Sequence, residues 1–406
     1  MKKGLCIFLI VSIFLYSQTQ VFIKITKNLV EKADIFLILR VERNDFFTKL
    51  SETLSQDLKF SGYFNIDGSK FTDDIEKIKK NITTQLILTI EQKKENISVK
   101  IEDGLEKNIL FENDYKYLKD PRYLSHIICD DIVEKLTGKV GIAKSKIFFT
   151  ADKTGRKQIY QIDYDGYNLK QITNVDYLVN YPRYLEGKSI LFVSYKDGWP
   201  KLSKIDILTN KIHPFIAFPG LNACASPCKK TKEIVLVLSV SGDPEIYRAN
   251  FDGKIIKRLT YNKGIDSSPS FSPDGKEIVF VSDRDGKPQI YLMDKDGYGI
   301  RRISYISNYC TSPVFSPDGN FIAYIFSEEN RFGIAIYDIN TGKTKKISNL
   351  QCEEISWAPN SRHIVYSHIS KKNSLMVIDI FTKEIRTLLS GDFNCFSPNW
   401  VILEEN

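Results

Sequence analysis

SPSFSPDGKEIVFVSDRDGKPQIYLMDKDG, residues Ser268–Gly297, is followed by a second copy of the same pattern, SPVFSPDGNFIAYIFSEENRFGIAIYDINTG, at Ser312–Gly342. The apolar run inside this pattern occurs six times along the chain. Its copies begin at Ile147, Ile190, Ile234, Ile278, Ile322 and Ile364, in steps of 43, 44, 44, 44 and 42 residues. A period of this length that holds about four short strands is typical of a β-propeller blade. The sequence therefore predicts six blades.

The residues between the apolar runs predict the turns within each blade. Pro273–Gly275 combines a proline that fixes φ with a glycine that is free to take a positive φ. Asp283–Gly286 predicts the next turn, and Asp296–Gly297 predicts the turn into an outermost strand. We interpret these glycines and aspartates as hairpin residues without a further role.

The two ends of the repeat region predict how the ring closes. The copy that begins at Ile147 has no Ser-Pro strand before it, whereas a spare CFSPNW segment, Cys395–Trp400, follows the sixth copy. We expect this last segment to complete blade one, which would leave no open sheet edge between the first and last blades.

The first residues differ from the rest. Lys2 and Lys3 precede an apolar run, Gly4–Tyr16, and a polar end at Ser17–Gln20, which is the pattern of a secretory signal. We predict a signal peptide at residues 1–20, with an uncleaved anchor as the alternative. The second apolar segment, Ile35–Val41, has only the length of a strand.

Residues 21–138 alternate between strand and helix patterns, which predicts a small α/β domain. Asp45–Gly62 carries apolar residues at helical spacing, and a final helix is expected from Asp120-Pro121 to Thr137-Gly138. A linker at 139–146 then leads to the propeller at 147–406. The predicted fold class is therefore mainly β, a six-bladed β-propeller preceded by a small α/β domain.

Composition and charge exclude little, but they argue against nucleic acid as a partner. The chain has 57 basic and 50 acidic residues, a formal net charge of +7, and the two signs are mixed along the sequence. Such interleaving is typical of a solvated surface and gives no basic footprint for nucleic acid.

The sequence gives weak support for an enzymatic function. The sequence has no Gly-x-Ser-x-Gly elbow. Its four histidines, His126, His213, His363 and His368, lack a clustered carboxylate or cysteine at ligand spacing. We therefore predict no catalytic residue, no metal and no cofactor. The alternative is a propeller enzyme of the metal-dependent lactonase type, with Asp266 and Glu353–Glu354 at the central channel.

Three cysteines share one position in the repeat. Cys310 and Cys352 each lie twelve residues before a blade anchor, and Cys395 holds the equivalent place in the closing segment. Asp266 and Asn222 hold it in two other blades. We expect all five at one mouth of the channel, where an outer strand crosses to the next inner strand. The cysteines are interpreted as small, partly buried thiols that do not pair with one another, because adjacent blades hold them too far apart.

Several segments outside the general repeat resemble the TolB family. LSQDLKFSGYFNI (Leu54–Ile66), DDIVEKLTG (Asp130–Gly138) and DYDGYN (Asp163–Asn168) are similar to its early helix and strand, its domain junction and its first blade. The order of signal, small α/β domain, LTG junction and six blades is more specific than the repeat itself.

The resemblance implies a periplasmic binding protein rather than an enzyme. In this family the propeller mouth docks a peptidoglycan-associated lipoprotein, Pal, and so lies peripheral to the outer membrane. The N-terminal segment of the mature chain engages the inner-membrane protein TolA, which links the two membranes during cell division. By position, the TolA-binding segment would be Val21, Phe22, Ile23, Lys24 and Ile25, although Lys24 and Lys27 make this stretch basic.

The Pal-facing surface is expected at the same channel mouth, because the loops before the inner strands should surround one opening. Loops on a rigid scaffold are suited to recognition. The predicted partner-binding residues are Leu221, Asn222, Cys224, Asp266, Ser267, Asn308, Tyr309, Cys310, Glu353 and Glu354.

Overall fold

The computed structural model describes residues 31–80, 83–348 and 350–404. The chain forms two compact units, of which the first ends at Lys144 and the second begins at Ser145. The predicted signal at residues 1–20 and the predicted TolA-binding segment at 21–25 lie outside the described residues.

The described residues of the first unit form one five-stranded sheet and three helices. The sheet order is β2-β1-β3-β4-β5; β1 is parallel to both of its neighbours, and the remaining pairs are antiparallel. The strands are β1 (Ala33–Arg40), β2 (Phe64–Phe71), β3 (Leu86–Lys93), β4 (Asn96–Asp103) and β5 (Ile109–Lys116), and the helices are α1 (Asp45–Phe60), α2 (Ile75–Lys79) and α3 (Pro121–Thr137).

Capping residues set the ends of the two long helices. Asn44 caps α1 by accepting a hydrogen bond from the Phe47 amide at 3.0 Å. Asp120 caps α3, where Pro121 occupies the first turn, and Gly138 ends the helix with a φ of 65°. The helix predicted from Asp120-Pro121 to Thr137-Gly138 is confirmed.

The second unit is a ring of six four-stranded antiparallel sheets. Blade one contains β6 (Lys146–Ala151), β7 (Gln158–Asp163) and β8 (Lys170–Gln171); blade two β9 (Val179–Glu186), β10 (Ser189–Ser194), β11 (Lys201–Asp206) and β12 (Ile212–Ile216); and blade three β13 (Asn222–Cys228), β14 (Glu233–Leu238), β15 (Glu245–Asn250) and β16 (Ile255–Arg258). Blade four contains β17 (Asp266–Phe271), β18 (Glu277–Ser282), β19 (Gln289–Asp294) and β20 (Arg301–Arg302); blade five β21 (Cys310–Phe315), β22 (Phe321–Glu328), β23 (Arg331–Asp338) and β24 (Thr344–Ser348); and blade six β25 (Cys352–Trp357), β26 (His363–His368), β27 (Ser374–Asp379) and β28 (Ile385–Leu389).

The last strand, β29 (Cys395–Val401), completes blade one. Its sheet has the order β29-β6-β7-β8, with Trp400 opposite Ile147 and Cys395 opposite Ala151. The innermost strand of the first blade therefore comes from the far end of the chain, and the ring closes through backbone hydrogen bonds.

The core of the ring lies between neighbouring blades, where the second strand of each blade is apolar on both faces. In β18, for example, Ile278 to Val281 are buried without interruption. The turn before β18 has the predicted chemistry, because the Gly275 amide donates to Ser272 O at 2.9 Å with a φ of 73°. A side chain there would strain the backbone and would also collide with Thr231.

Within the described residues, no helix is both long enough and apolar enough to cross a membrane.

Candidate binding face and central channel

One end of the ring carries two sets of loops, which we call the crossover face. The first set joins the outermost strand of a blade to the innermost strand of the next, and the second joins the second and third strands of a blade. Each pair of loops is tied by an equivalent backbone hydrogen bond. These bonds are Asp152 N to Asn394 O, Tyr195 N to Leu178 O, Ser239 N to Leu221 O, Asp283 N to Ile265 O, Ser327 N to Tyr309 O and Ile369 N to Gln351 O.

Three residues predicted to line the opening are instead buried. Asn222, Asp266 and Cys310 have no exposed surface. The Asn222 amide nitrogen donates to Phe218 O at 2.7 Å, and the Asp266 carboxylate accepts from Arg284 Nη2 at 3.0 and 3.2 Å. They hold the crossing loops from inside, which corrects the expectation that they face a partner.

The other seven predicted docking residues lie in two different places. Asn308 and Tyr309 are exposed on the crossover face, and Leu221, Ser267 and Glu353 are half-buried near it. Cys224 and Glu354 lie in the central channel. The ten residues therefore do not form one exposed surface.

Exposed apolar side chains mark a different part of the crossover face, which we call the apolar sector. Tyr261 and Tyr305 are 70% and 73% exposed and occupy equivalent positions in neighbouring crossing loops. The apolar sector comprises Leu178, Tyr195, Trp199, Phe218, Val240, Tyr261, Ile265, Tyr305 and Tyr309. These residues lie on the loops around blades two to four. Grouped exposed apolar side chains of this kind mark interaction surfaces.

The loops of blades six and one carry an excess of positive charge, and we call this part the basic sector. Lys153, Arg156, Lys371 and Lys372 are exposed there, together with the carboxylate of Asp392. Lys157 covers the ring of Phe396, with its ammonium 3.8 Å from the ring centroid. An apolar sector beside a basic sector suits a protein partner that presents apolar and acidic side chains.

A β-bulge in every innermost strand shapes the channel. At each bulge, the register of the innermost strand against its neighbour shifts, and a non-glycine residue takes a φ between 48° and 56°. These residues are Tyr181, Cys224, Ser268, Ser312, Glu354 and Ser397. Bulges re-aim side chains near functional sites, and such backbone conformations persist where the surrounding structure fixes them.

The channel encloses a cavity of about 120 Å³. Five of the six innermost strands line it, through Tyr181, Arg183, Cys224, Ala225, Ser226, Ser268, Pro269, Ser270, Ser312, Pro313, Val314, Glu354 and Ile355. Most of these groups are hydroxyls or apolar surface. Arg183 and Glu354 bring opposite charges to the same cavity.

The charged and titratable groups in the cavity influence one another. Burial lowers the pKa of Arg183, and the nearby charge of Glu354 opposes that shift. Burial and the same carboxylate raise the pKa of Tyr181. Burial also raises the pKa of the Cys224 thiol, although Arg183 counteracts it. The cavity therefore contains two opposite charges among neutral groups.

The cysteines of the blades are free thiols. Cys310, Cys352 and Cys395 are fully buried, not partly buried as predicted, and they form no disulfide among the described residues. Burial raises the pKa of the Cys310 thiol to about 11, and those of Cys352 and Cys395 to about 12. Thiols held in this neutral state are poor nucleophiles and poor metal ligands.

Comparison with known proteins agrees with the fold. Residues 133–404, more than half of the chain, match the family model described as the TolB beta propeller domain. The chain belongs to the TolB beta-propeller family. The TolB resemblance noted in the sequence is thereby confirmed.

Individual TolB proteins are similar over different lengths. A TolB homolog of Chlorobium chlorochromatii is 35% identical over 168 residues, which is 41% of this chain and 38% of the relative. The Tol-Pal system protein TolB of Desulfosudis oleivorans is 31% identical over 232 residues, or 53% of each chain. The chain thus spans between two fifths and about half of the length of these curated relatives.

A crystal structure of TolB from Acinetobacter baumannii shares the fold. It aligns with a TM-score of 0.80 at 23% identity and covers 91% of this chain and 97% of that one. The TolB architecture is therefore common to both proteins, and the six-bladed propeller predicted from the sequence is confirmed.

Proposed function

We propose that this chain is a periplasmic, protein-binding adaptor of the Tol-Pal envelope system. Membership of the TolB family and the name of the Desulfosudis relative, a Tol-Pal system protein, support the proposal. The predicted signal peptide at residues 1–20 supports the periplasmic location. The adaptor would contribute to envelope integrity and cell division.

The proposed partner at the propeller is a Pal-like, peptidoglycan-associated lipoprotein. The observation that carries this proposal is the apolar sector, because nine large apolar side chains on one face of the ring require a reason for their exposure. Pal would seat apolar side chains there and bring acidic groups to the basic sector. A TolA-like inner-membrane protein would bind the N-terminal segment at residues 21–25.

We propose no enzymatic activity. The lactonase alternative needs carboxylates that are free to bind a metal in the channel. Asp266 is instead paired with Arg284, which leaves Glu354 as the one carboxylate among the described residues that line the cavity. One carboxylate is too few to hold such a metal, which favours a binding role for the channel and its mouth.

Substitution of one exposed tyrosine tests the docking surface. Tyr261→Ala should weaken binding of the purified, unlipidated Pal-like protein of the same organism by roughly tenfold or more, as expected for an aromatic anchor. Tyr261 is mostly exposed, with its ring under Arg258, so its loss should not unfold the blade. Isothermal titration calorimetry would measure the dissociation constant.

Tyr298→Ala provides the matched control. Tyr298 is 68% exposed, lies under Lys257 and sits on a loop between third and outermost strands, at the end opposite the crossover face. Its substitution should leave the affinity unchanged. Equal affinities for all three proteins would reject this surface, and no binding by the unsubstituted chain would reject Pal as the partner.

A further inference from the structure

The two charges in the channel cavity are not paired with each other. Arg183 projects from β9 of blade two and Glu354 from β25 of blade six, on either side of blade one. Among the described residues, no ion pair within 4.0 Å joins them, although each lies close enough to affect the other electrostatically. Opposite charges thus face one enclosed space from separate blades.

Arg183 retains most of its hydrogen-bonding capacity. Its guanidinium has five N–H donors. The hydrogen bond recorded for it among the described residues runs from Nη1 to the neighbouring Pro182 O at 2.8 Å. A partly buried guanidinium with unused donors is costly unless water or an anion satisfies them. Its planar, forked donors match a carboxylate best.

Glu354 also retains an acceptor. Two hydrogen bonds, from the amide and the hydroxyl of Ser397, fall on Oε2, and the side chain of Tyr181 also bonds the carboxylate. A carboxylate offers about four acceptor positions in all, so one position remains for a cationic group. The bulge at Glu354, with a φ of 50°, sets this side chain at the cavity.

The size of the cavity limits what could satisfy both groups. A volume of about 120 Å³ corresponds to roughly four water molecules at their volume in the liquid. Glycine contains about as many heavy atoms. The hydroxyls of Ser268 and Ser312 line the same space and could complete the hydrogen bonds of a small polar molecule.

We propose that the channel binds a small zwitterion, such as a free amino acid with a short side chain. Arg183 binds its carboxylate, and Glu354 binds its ammonium group. The ligand neutralises both partly buried charges at once, which neither a simple anion nor a simple cation does. This site is separate from the apolar sector, so the proposal does not depend on Pal docking.

Three small molecules test whether the site requires both charges of the ligand. Glycine carries both charges, acetate only the carboxylate, and methylammonium only the cation. Calorimetric titration of the full chain should give saturable binding of glycine at one site. Acetate and methylammonium should each bind about tenfold more weakly or worse, because each makes only one of the two charge-assisted contacts.

Two substitutions assign the contacts. Arg183→Gln should abolish binding of acetate and weaken glycine to the level of methylammonium, and Glu354→Gln should weaken glycine to the level of acetate. Arg156→Gln and Glu329→Gln remove the same charges from exposed loops and should leave glycine binding unchanged. Melting curves of every variant would establish that each is folded.

The proposal is overturned if glycine binds no more tightly than acetate, if glycine affinity is insensitive to Glu354→Gln, or if no glycine binding is detected. Should Arg183→Gln fail to fold, the comparison of the three probes and the Glu354→Gln variant decides the matter without it. Pal binding by the same preparation is measured independently and can succeed or fail separately.

Discussion

A buried ion pair stabilises blade six at the level of single residues. Arg362 Nε lies 2.7 Å from Asp379 Oδ2, and both side chains are almost fully buried. Burial by itself raises the pKa of Asp379, but the charges of His363 and Arg362 outweigh it and lower that pKa below its usual value. The stabilisation is therefore complete above the usual aspartate pKa of about 4 and is lost as the pH falls through the lowered native value.

Asp379→Ala should lower the free energy of unfolding by about 3–5 kcal/mol at neutral pH, because it leaves a buried guanidinium without its carboxylate. Urea unfolding would measure the loss. Asp338→Ala is the control, since Asp338 ends the equivalent strand of blade five and accepts a hydrogen bond from the Thr341 amide, while no ion pair joins it to a cation among the described residues. That variant should lose only about 1 kcal/mol. Equal losses of unfolding free energy in both variants would mean that the turn, and not the ion pair, stabilises the blade.

Single residues show where prediction from the sequence ends. The repeat correctly aligns Asn222, Asp266 and Cys310, which all begin innermost strands. The burial of Asn222 and Asp266 was not predictable, because a polar residue beside a loop normally faces water. Asp266 is buried because Arg284, eighteen residues later, reaches back to it. That contact depends on how two loops fold together, and no local pattern encodes it.

The helices and strands were easier to predict than the β-bulges that interrupt them. The apolar runs and the Asp-Gly turns predict the second and third strands of the blades, because both signals are local. Neither the short helix α2 nor the bulges of the innermost strands were predicted from the sequence. The bulges place Arg183 and Glu354 in the channel, and they arise where six strands converge on one axis.

The closing strand β29 is held on both sides. It pairs with β6 of its own sheet, and the Trp400 amide also donates to Ser356 Oγ in blade six at 3.0 Å. The Trp400 indole is buried and donates to Ser145 Oγ at 2.7 Å. This single element therefore joins the first and last blades.

A chain that ends at residue 392 should be much less stable than the full chain. It loses the innermost strand of blade one and the buried Trp400, and loss of a buried tryptophan alone costs about 3–5 kcal/mol. A chain that ends at Val401 keeps β29 and is the matched control. Thermal melting would compare the three. Indistinguishable melting temperatures for the shortest and longest chains would show that β29 does not hold the ring closed.

At the scale of the whole molecule, the chain passes from one compact unit to the other within two residues. The amides of Ala143 and Lys144 donate to the Asp130 carboxylate of α3, at 2.7 and 3.1 Å. Burial raises the pKa of Asp130 to about 6, although these two amides oppose the shift. The next residue, Ser145, instead accepts from Trp400 of the propeller. Local hydrogen bonds thus separate the units between Lys144 and Ser145.

The propeller unit should consequently fold alone. All six sheets, including the pairing of β29 with β6, are contained in residues 145–406, so a chain that begins at Ser145 retains every blade. We expect a cooperative thermal transition and the far-ultraviolet circular dichroism of a β protein, because each strand keeps its partners. A chain that begins at residue 152 is the control: it lacks β6, so β29 and β7 lose their shared neighbour and the ring cannot close. If the chain from Ser145 aggregates or melts without cooperativity, as the shorter control should, then the propeller depends on the first unit for its folding. A cooperative transition for the chain from Ser145 and none for the control would establish ring closure as sufficient for an independent domain.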